Sequence, residues 1–365
     1  GWINAIIPIL IVPYYSVIGG WVVKYLIEYI KGNGHALSTD GYFSTFISNG
    51  VSTELCFIAF SLLTLVIVFA GVKNGIEHVS KIMMPILVVL SCVITVYSVT
   101  RPGALEGVKY FLVPNFKNFS WMTVVTAMGQ MFYSLSIAMG ILITFGSYTE
   151  KEVSIENSTE NVEVFDTAIA IMAGLMIIPA VFAFSNGNMD NLNAGPSLMF
   201  ITIPKVFDSM GLGTLIGILF FVLVLFAALT SSIALTECAV STFQDELGWS
   251  RHKSVCVLGI VMLALGSLSS LGYGPLASIQ IIGMQFLDFF DFLTNSVMMP
   301  ISAICICLLV SRVIGVDKIA EEIKSHNNPF KREKIFNFMI KYVCPIFAAI
   351  ILLSSVANAF GIIKM

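Results

Sequence analysis

The sequence predicts an all-α integral membrane protein. The chain has 365 residues, of which 57% are hydrophobic and 11% are charged, and its mean hydropathy is +0.91. A soluble globular domain carries about 25% charged residues, so this much apolar surface is expected to face lipid. The apolar residues also fall into runs of about 20 or more, the length that a helix needs to cross a bilayer.

Nine segments are long and apolar enough to be predicted as spans. The segment 121–148 is long enough to cross the membrane even if its centre is broken. The connections 31–50 and 187–210 are rich in Gly, Asn and Ser, the connection 149–163 is acidic, and 312–334 is charged with a partly helical pattern. The predicted spans are 3–30, 51–71, 80–99, 121–148, 164–186, 211–240, 254–273, 284–311 and 336–362.

The distribution of Lys and Arg predicts the orientation. If the first span runs outward, the connections 72–81, 149–163, 241–253 and 312–334 face the cytoplasm, and they hold more Lys and Arg than the opposite side. Cytoplasmic connections are the ones enriched in these residues. We therefore expect a multi-pass protein of the cell membrane, with the N-terminus of this chain cytoplasmic and its C-terminus extracellular.

Composition and motifs argue against several other classes of protein. The net charge is −3 and no basic cluster with interleaved aromatic residues occurs, which disfavours nucleic-acid binding. The seven cysteines lie mostly in apolar runs without a CxxC pair and are interpreted as small buried residues. No Ser-His-Asp set, metal cluster or phosphate loop is seen, so we predict that the chain is not an enzyme. The start has no basic segment before its apolar run, so we expect no signal peptide and interpret it as a cut end.

Polar residues interrupt the fourth span at its centre. Residues 129–140 read GQMFYSLSIAMG, with Ser134, Ser136 and Gly140 at membrane depth. One interpretation is a continuous helix whose hydroxyls bond to the preceding turn and pack against a neighbour. The other is a helix that unwinds here, so that its half-helix ends can hold an ion or a carboxylate.

A second group of hydroxyls lies in residues 226–235, which read FAALTSSIAL. Oxygen ligands suit small hard cations, so Thr230 and Ser231 with the carbonyl of Ala227 could bind Na⁺. The alternative is helix packing through small residues. Glu237, further along the same span, is expected to have a hydrogen-bond partner.

Three further polar features lie within spans. Asp166 is predicted near the start of its span, either solvated or beside a cation site. Asp288 and Asp291 are three residues apart on one helical face, which suits a solvated vestibule or a gate that pairs with a cation. The hydroxyls of Tyr14 and Tyr15 lie some ten residues inside the first span and need partners there.

Four stretches together resemble the neurotransmitter:sodium symporter family. They read PYYSVIGGW, GVKNGIEHVSKIMMP, GQMFYSLSIAMG and FAALTSSIAL, in this order along the chain. The resemblance covers essentially the whole chain and implies an inverted-repeat, five-plus-five transporter fold with broken helices at the midplane. It also implies that the nine spans are the family's third to eleventh and that the first two are missing, which would leave the first repeat incomplete.

The same resemblance implies a division of the chain. Residues 1–120 would be the remainder of the first repeat, comprising helices three to five and an extracellular loop. Residues 121–311 would be the second repeat, with its broken helix at 134–140. Residues 312–365 would be a cytoplasmic loop and the final span.

The resemblance also assigns site residues. Two sodium sites are implied, both completed by the missing first helix. The gates involve Gln130 and Asp291 on the extracellular side and Asp245 on the cytoplasmic side. The implied sodium ligands are Ser134, Asp166, Ala227, Thr230 and Ser231, and the implied substrate-binding residues are Ile11, Tyr15, Tyr133, Ser134, Ser136, Met139, Ser231 and Leu235.

Several positions depart from the family pattern. Tyr133 stands where Phe is usual, and Ala138 where many members have Gly, which would limit unwinding. Asp166 stands where many members have Asn, so its carboxylate would supply the charge that chloride provides in other members. Ala170 offers no hydroxyl to chloride, and we expect no chloride requirement.

The function implied is sodium-coupled uptake of an amino acid by alternating access, with an apolar or aromatic side chain because the pocket walls are apolar. The partners are then the amino acid and the lipid bilayer. Two alternatives stay open: a truncated, non-transporting relative or partner subunit, and a channel or intramembrane enzyme.

Overall fold

A computed structural model describes residues 1–185, 195–325 and 329–362. Within these ranges the named elements are all helical, and one isolated bridge joins Ile281 and Met284. The α-helices are α1 (Trp2–Ile30), α2 (Gly34–Ser38), α3 (Tyr42–Ser48), α4 (Gly50–Phe69), α5 (His78–Val99), α6 (Ala104–Leu112), α7 (Trp121–Ser134), α8 (Ile141–Ser147), α9 (Ile155–Ser185), α10 (Ile203–Asp208), α11 (Gly213–Leu247), α12 (Arg251–Leu271), α13 (Phe286–Asp291), α14 (Met299–Leu308), α15 (Val316–Ile323), α16 (Glu333–Phe338) and α17 (Cys344–Ala359).

Wider π-helical turns extend several of these helices. Val72–Glu77 leads into α5, Phe292–Met298 joins α13 to α14, and Met339–Val343 joins α16 to α17. Counting these joined segments, eight helices within the described residues are long and apolar enough to cross a membrane. The prediction of an all-α, multi-pass membrane protein is confirmed. The predicted span 121–148 is not among the eight, because it is divided between α7 and α8.

Helix α1 lies at the centre of the bundle, where it packs against α4, α11 and α12. Its most apolar stretch is 67% buried, against 11% for the last span. A methyl group on Gly20 would lie 2.6 Å from the backbone nitrogen of Phe57, so these two backbones touch. On the outside of the bundle, large apolar side chains such as Val66, Ile260 and Leu353 are exposed, as expected for helices that face lipid.

The connections are more helical than predicted. Helix α9 begins at Ile155, inside the predicted connection 149–163, so Asp166 lies about three turns inside the helix rather than near its start. Ser154 starts this helix by accepting a hydrogen bond from the backbone of Asn157 at 3.4 Å, and polar residues such as Glu and Asn continue it because their helix propensity suffices. In the connection 187–210, residues 187–194 lie outside the described residues, whereas α10 occupies part of the remainder.

The polar stretch at 129–140 contains a broken helix. Helix α7 starts with a capping box formed by Ser120 and Thr123 and ends at Ser134. Left-handed φ angles follow at Ser136 (54°), Ala138 (62°) and Gly140 (81°), after which α8 begins. A continuous helix is therefore wrong here. Ala138 does not keep the segment helical.

Packing holds Ala138 in this left-handed conformation, which costs about 1–2 kcal/mol per residue outside glycine. Ala138 is 8% exposed and packs in one cluster with Ala303 of α14 and Ala348 of α17. These small side chains let α14 and α17 approach the unwound segment closely. The break is thus fixed by neighbouring helices as well as by its own sequence.

The glycine that starts α8 gives a first prediction. We expect Gly140→Ala to lower the midpoint of thermal unfolding in detergent, with a loss of roughly 2 kcal/mol, because an L-residue is strained at this φ. The new methyl group would also lie 2.8 Å from Sγ of Cys238 and 3.1 Å from the carbonyl oxygen of Asn4. Gly146→Ala in the same helix is the matched control, because a methyl group there meets nothing within 4 Å. Equal effects of the two changes would show that the break does not need glycine.

Candidate functional site

The end of α7 meets α9 at a hydroxyl–carboxylate pair. The hydroxyl of Ser134 donates to Oδ1 of Asp166 at 2.6 Å. Ser134 is the last residue of α7, and the C-terminal end of a helix carries a partial negative charge that favours a cation. The break therefore gathers hard oxygen atoms of the kind that bind Na⁺.

A second group of oxygens lies on α11. The hydroxyl of Thr230 donates to the carbonyl oxygen of Ala227 at 2.9 Å and to that of Phe226 at 3.1 Å. Because the Ala227 and Thr230 oxygens are this close, one cation could contact both if the hydroxyl proton rotated away. The next hydroxyl, on Ser231, points elsewhere and lies close to the side chain of Tyr15 on α1. Ser232 packs against α4 instead, and its hydroxyl oxygen accepts a hydrogen bond from the hydroxyl of Thr64 on that helix at 3.1 Å.

Predicted substrate-binding residues from α1, α7 and α11 lie in or against one large hydrophobic cluster. Tyr15 is half-buried and lies close enough to Ser231 and to Tyr133 of α7 for electrostatic interactions. Ser136 is half-buried in the break. The three predicted wall residues are buried in one hydrophobic cluster, with Tyr15 and Tyr133 packed at its edge. They are Ile11, Met139 and Leu235.

The predicted extracellular gate is a hydrogen-bonded group rather than an ion pair. Asp291 is exposed and accepts from Nδ2 of Asn295 at 2.5 Å, and Asp288 accepts from the hydroxyl of Tyr273 at 2.9 Å. Among the described residues neither carboxylate pairs with a cationic side chain, so the structure does not provide the cation that was considered as a gate partner. Gln130 is exposed on α7, one turn before Ser134.

The predicted cytoplasmic-gate acid lines a cavity below the break. The cavity has a volume of about 320 Å³ and lies between the first residues of α1, the start of α8 and the end of α11. Its walls include Asn4, Gly140 and Asp245. The Asp245 carboxylate accepts from the hydroxyl of Ser241 at 3.4 Å. Asp245 therefore lies near the C-terminal end of α11, on the wall of this cavity.

Sequence reasoning missed a buried ion pair near this cavity. Glu237 is fully buried and accepts two hydrogen bonds from Arg251 of α12, at 3.0 Å from Nη1 and 2.6 Å from Nη2. The hydroxyl of Tyr148 donates to the same carboxylate at 2.8 Å. Arg251 also donates to the carbonyl oxygen of Val68 at the end of α4. The sequence predicts a partner for Glu237 but carries no pattern that identifies Arg251, which reaches it because the left-handed Gly248 reverses the chain between α11 and α12.

These features define a class of protein. A bundle of apolar helices with one helix broken at its centre, and with hydroxyl and carboxylate oxygens gathered at the break, is the architecture of a secondary membrane transporter.

Comparison with known proteins identifies the family. The model of the sodium:neurotransmitter symporter family matches residues 35–362, and the chain belongs to this family, as the sequence resemblance predicted. It is 33% identical to the uncharacterized sodium-dependent transporter YhdH of Bacillus subtilis, over 100% of this chain and 80% of that protein. It is 30% identical to an uncharacterized sodium-dependent transporter of Haemophilus influenzae, over 94% of this chain and 76% of that protein.

A solved structure has the same fold. The crystal structure of MhsT in complex with L-phenylalanine superposes with a TM-score of 0.84 and 35% sequence identity, and the match covers 97% of this chain and 80% of MhsT. The inverted-repeat transporter fold predicted from the sequence is therefore confirmed.

Proposed function

We propose that this chain carries out sodium-coupled symport of an amino acid with an apolar or aromatic side chain, by alternating access. The observation that carries the proposal is the broken helix, whose α7 end brings Ser134 to within 2.6 Å of Asp166. Membership of the family and the likeness to MhsT, which was solved with phenylalanine, support it.

In this proposal two sodium ions bind beside the substrate. Ser134 and Asp166 hold the first ion, whose charge also attracts the substrate carboxylate. Thr230, Ser231 and the carbonyl of Ala227 hold the second. The Asp166 carboxylate offsets the added positive charge, so chloride is not required.

The substrate would lie between the break and α1. Its carboxylate meets the hydroxyl of Tyr15, and Tyr133 closes over it. Where the substrate has a hydroxyl or an indole N–H, Ser136 can accept a hydrogen bond from it. The apolar side chain contacts the walls formed by Ile11, Met139 and Leu235.

Transport in this proposal depends on which conformation of the protein the ions and the substrate bind more tightly. Ions and substrate shift the protein between outward-open and inward-open states only if they bind one state more tightly than the other. Gln130 and Asp291 would close the site on the outside, and Asp245 would close it on the inside. We also propose that Gly1 lies on the cytoplasmic side of the cell membrane. The two repeats are proposed to divide as the resemblance implies, at residues 1–120 and 121–311.

The test is equilibrium binding of labelled phenylalanine to the purified protein, in sodium and in potassium salts. We expect sodium-dependent binding that is the same in chloride and gluconate. Thr230→Ala should raise the sodium concentration for half-saturation about tenfold, the equivalent of about 1.4 kcal/mol, because one oxygen ligand is lost.

Thr236→Ala is the matched control for this test. Thr236 lies on the same helix, is buried, and donates to the carbonyl oxygen of Ser232 at 2.7 Å, so its loss removes a similar internal bond. Sodium dependence should not change in this variant. Undiminished sodium-dependent binding in Thr230→Ala would contradict the assignment of the second sodium site.

A further inference from the structure

We propose that Tyr14 is a positioning residue for the extracellular gate, because its hydroxyl sets the orientation of the Asn295 amide that holds the Asp291 carboxylate. The inference rests on the proposed function insofar as Asp291 acts as a gate. The geometry that carries it is independent of that role. Tyr14 is 1% exposed, on α1 directly before Tyr15.

The hydrogen-bond donors in this network can be assigned. The hydroxyl of Thr294 lies 2.8 Å from the carbonyl oxygen of Phe290, to which it donates its single proton. Tyr14 and Thr294 are 3.2 Å apart at their hydroxyl oxygens. Because the Thr294 proton is already committed, Tyr14 is the donor in this contact, and its own oxygen is left as an acceptor.

That acceptor fixes the side-chain amide of Asn295. Nδ2 of Asn295 lies 3.4 Å from the hydroxyl oxygen of Tyr14 and 2.5 Å from Oδ1 of Asp291. A primary amide has two N–H donors, so one nitrogen serves both acceptors. If the amide were flipped, its oxygen would face the Asp291 carboxylate and the Tyr14 oxygen. Asp291 has no proton to donate to that amide oxygen. Tyr14 therefore favours the orientation in which the amide donates to Asp291.

The position of Tyr14 gives this network a link to the substrate site. Its neighbour Tyr15 contacts Ser231 on α11, while Tyr14 contacts the π-helical segment Phe292–Met298 through Thr294 and Asn295. The two tyrosines thus join α1 to two different walls of the proposed site. If Tyr15 moves when substrate binds, Tyr14 moves with it because the two share a peptide unit. The Asn295 amide then connects Tyr14 to Asp291.

The inference is tested by carboxyl labelling of the full chain in detergent, with a water-soluble carbodiimide and an amine, mapped by mass spectrometry. In Tyr14→Phe the label at Asp291 should form about threefold to tenfold faster, since one hydrogen bond of ordinary strength no longer orients its partner. Asp288, whose carboxylate is held by Tyr273, is the internal reference and should not change. An unchanged rate at Asp291 overturns the proposal.

Two variants separate positioning from general loss of stability. Tyr25→Phe removes another buried tyrosine hydroxyl from α1, one that donates to the carbonyl oxygen of Phe200 at 2.8 Å, and should leave labelling of Asp291 unchanged. In an Asn295→Ala background, Tyr14→Phe should have a smaller effect than in the unmodified chain, because the amide is absent and only the direct electrostatic interaction of Tyr14 with Asp291 remains. Additive effects of the two changes would overturn the proposed route through Asn295.

Phenylalanine binding gives the functional arm. Tyr14→Phe should weaken sodium-dependent phenylalanine binding severalfold and leave the sodium concentration for half-saturation unchanged. If the unmodified protein binds no phenylalanine, the proposed function fails, while the labelling experiment still decides the role of Tyr14. Faster labelling with unaltered phenylalanine binding would show that Tyr14 orients Asp291 without affecting a gate, and would overturn the gate part of the inference.

Discussion

Replacing Arg251 by alanine is expected to destabilise the folded protein by about 3–5 kcal/mol, the cost of leaving a buried charge without its partner. Glu237 is fully buried, and the guanidinium group of Arg251 supplies two of its hydrogen bonds. The Tyr148 hydroxyl alone cannot neutralise the carboxylate. The same change removes the donors to the carbonyl oxygen at the end of α4. The measurement is the midpoint of thermal unfolding in detergent micelles.

An exposed pair provides the matched control. Lys81 and Glu77 form an ion pair of the same length, 2.6 Å, with side chains 72% and 47% exposed. Lys81→Ala should change stability by less than about 1 kcal/mol, because exposed pairs contribute little. Adding Glu237→Gln to Arg251→Ala should recover part of the loss, since a neutral amide is less costly to bury than a carboxylate. Equal effects of Arg251→Ala and Lys81→Ala would contradict the structural role given to the buried pair.

The buried pair of Glu237 and Arg251 illustrates which features can be predicted from sequence and which cannot. The positions of eight of the nine predicted spans, counted over the described residues, and of the break follow from composition and from polar residues at membrane depth, because lipid penalises unsatisfied polar groups strongly. Glu237 was recognisable as a residue that needs a partner for the same reason. Its partner was not, because the choice of Arg251 depends on how Gly248 turns the chain between two helices.

Side-chain direction limits prediction at the candidate site in the same way. Thr230, Ser231 and Ser232 are consecutive, and the sequence predicts only that they point in different directions. In the structure Thr230 bonds to α11 itself, Ser231 lies close to Tyr15 and Ser232 bonds to Thr64. Tyr15 and Thr64 lie on other helices, and their distance along the chain gives no local pattern to recognise.

The helix boundary before Asp166 illustrates a third limit. The charged residues of 149–163 suggest a solvated connection, yet α9 starts at Ile155. Charged and amide side chains form helices readily when they face water, so hydropathy locates the membrane segment and not the end of the helix. The consequence matters for the site, because Asp166 lies within α9, and not in a loop, where it accepts from Ser134.

The charge of Asp166 leads to the second prediction of large effect. Asp166→Asn should raise the sodium concentration for half-saturation of phenylalanine binding by tenfold or more, while the fold is retained because asparagine has nearly the same shape. A unit charge about 4 Å from a cation contributes about 4 kcal/mol at an effective dielectric constant of 20. Even if desolvation offsets most of that energy, the remainder exceeds the 1.4 kcal/mol that corresponds to a tenfold change.

Neighbouring and partner residues provide the controls for this change. Ser134→Ala removes one hydroxyl ligand but leaves the carboxylate, so its effect on sodium should be smaller than that of Asp166→Asn. Glu163→Gln, on the same helix at an exposed position where Glu163 pairs with Arg332, should leave sodium dependence unchanged. Chloride should not rescue Asp166→Asn, because Ala170 offers no hydroxyl to hold the anion. Sodium dependence that is unaltered in Asp166→Asn would remove the carboxylate from the proposed first sodium site, and rescue by chloride would show that the anion has ligands other than residue 170.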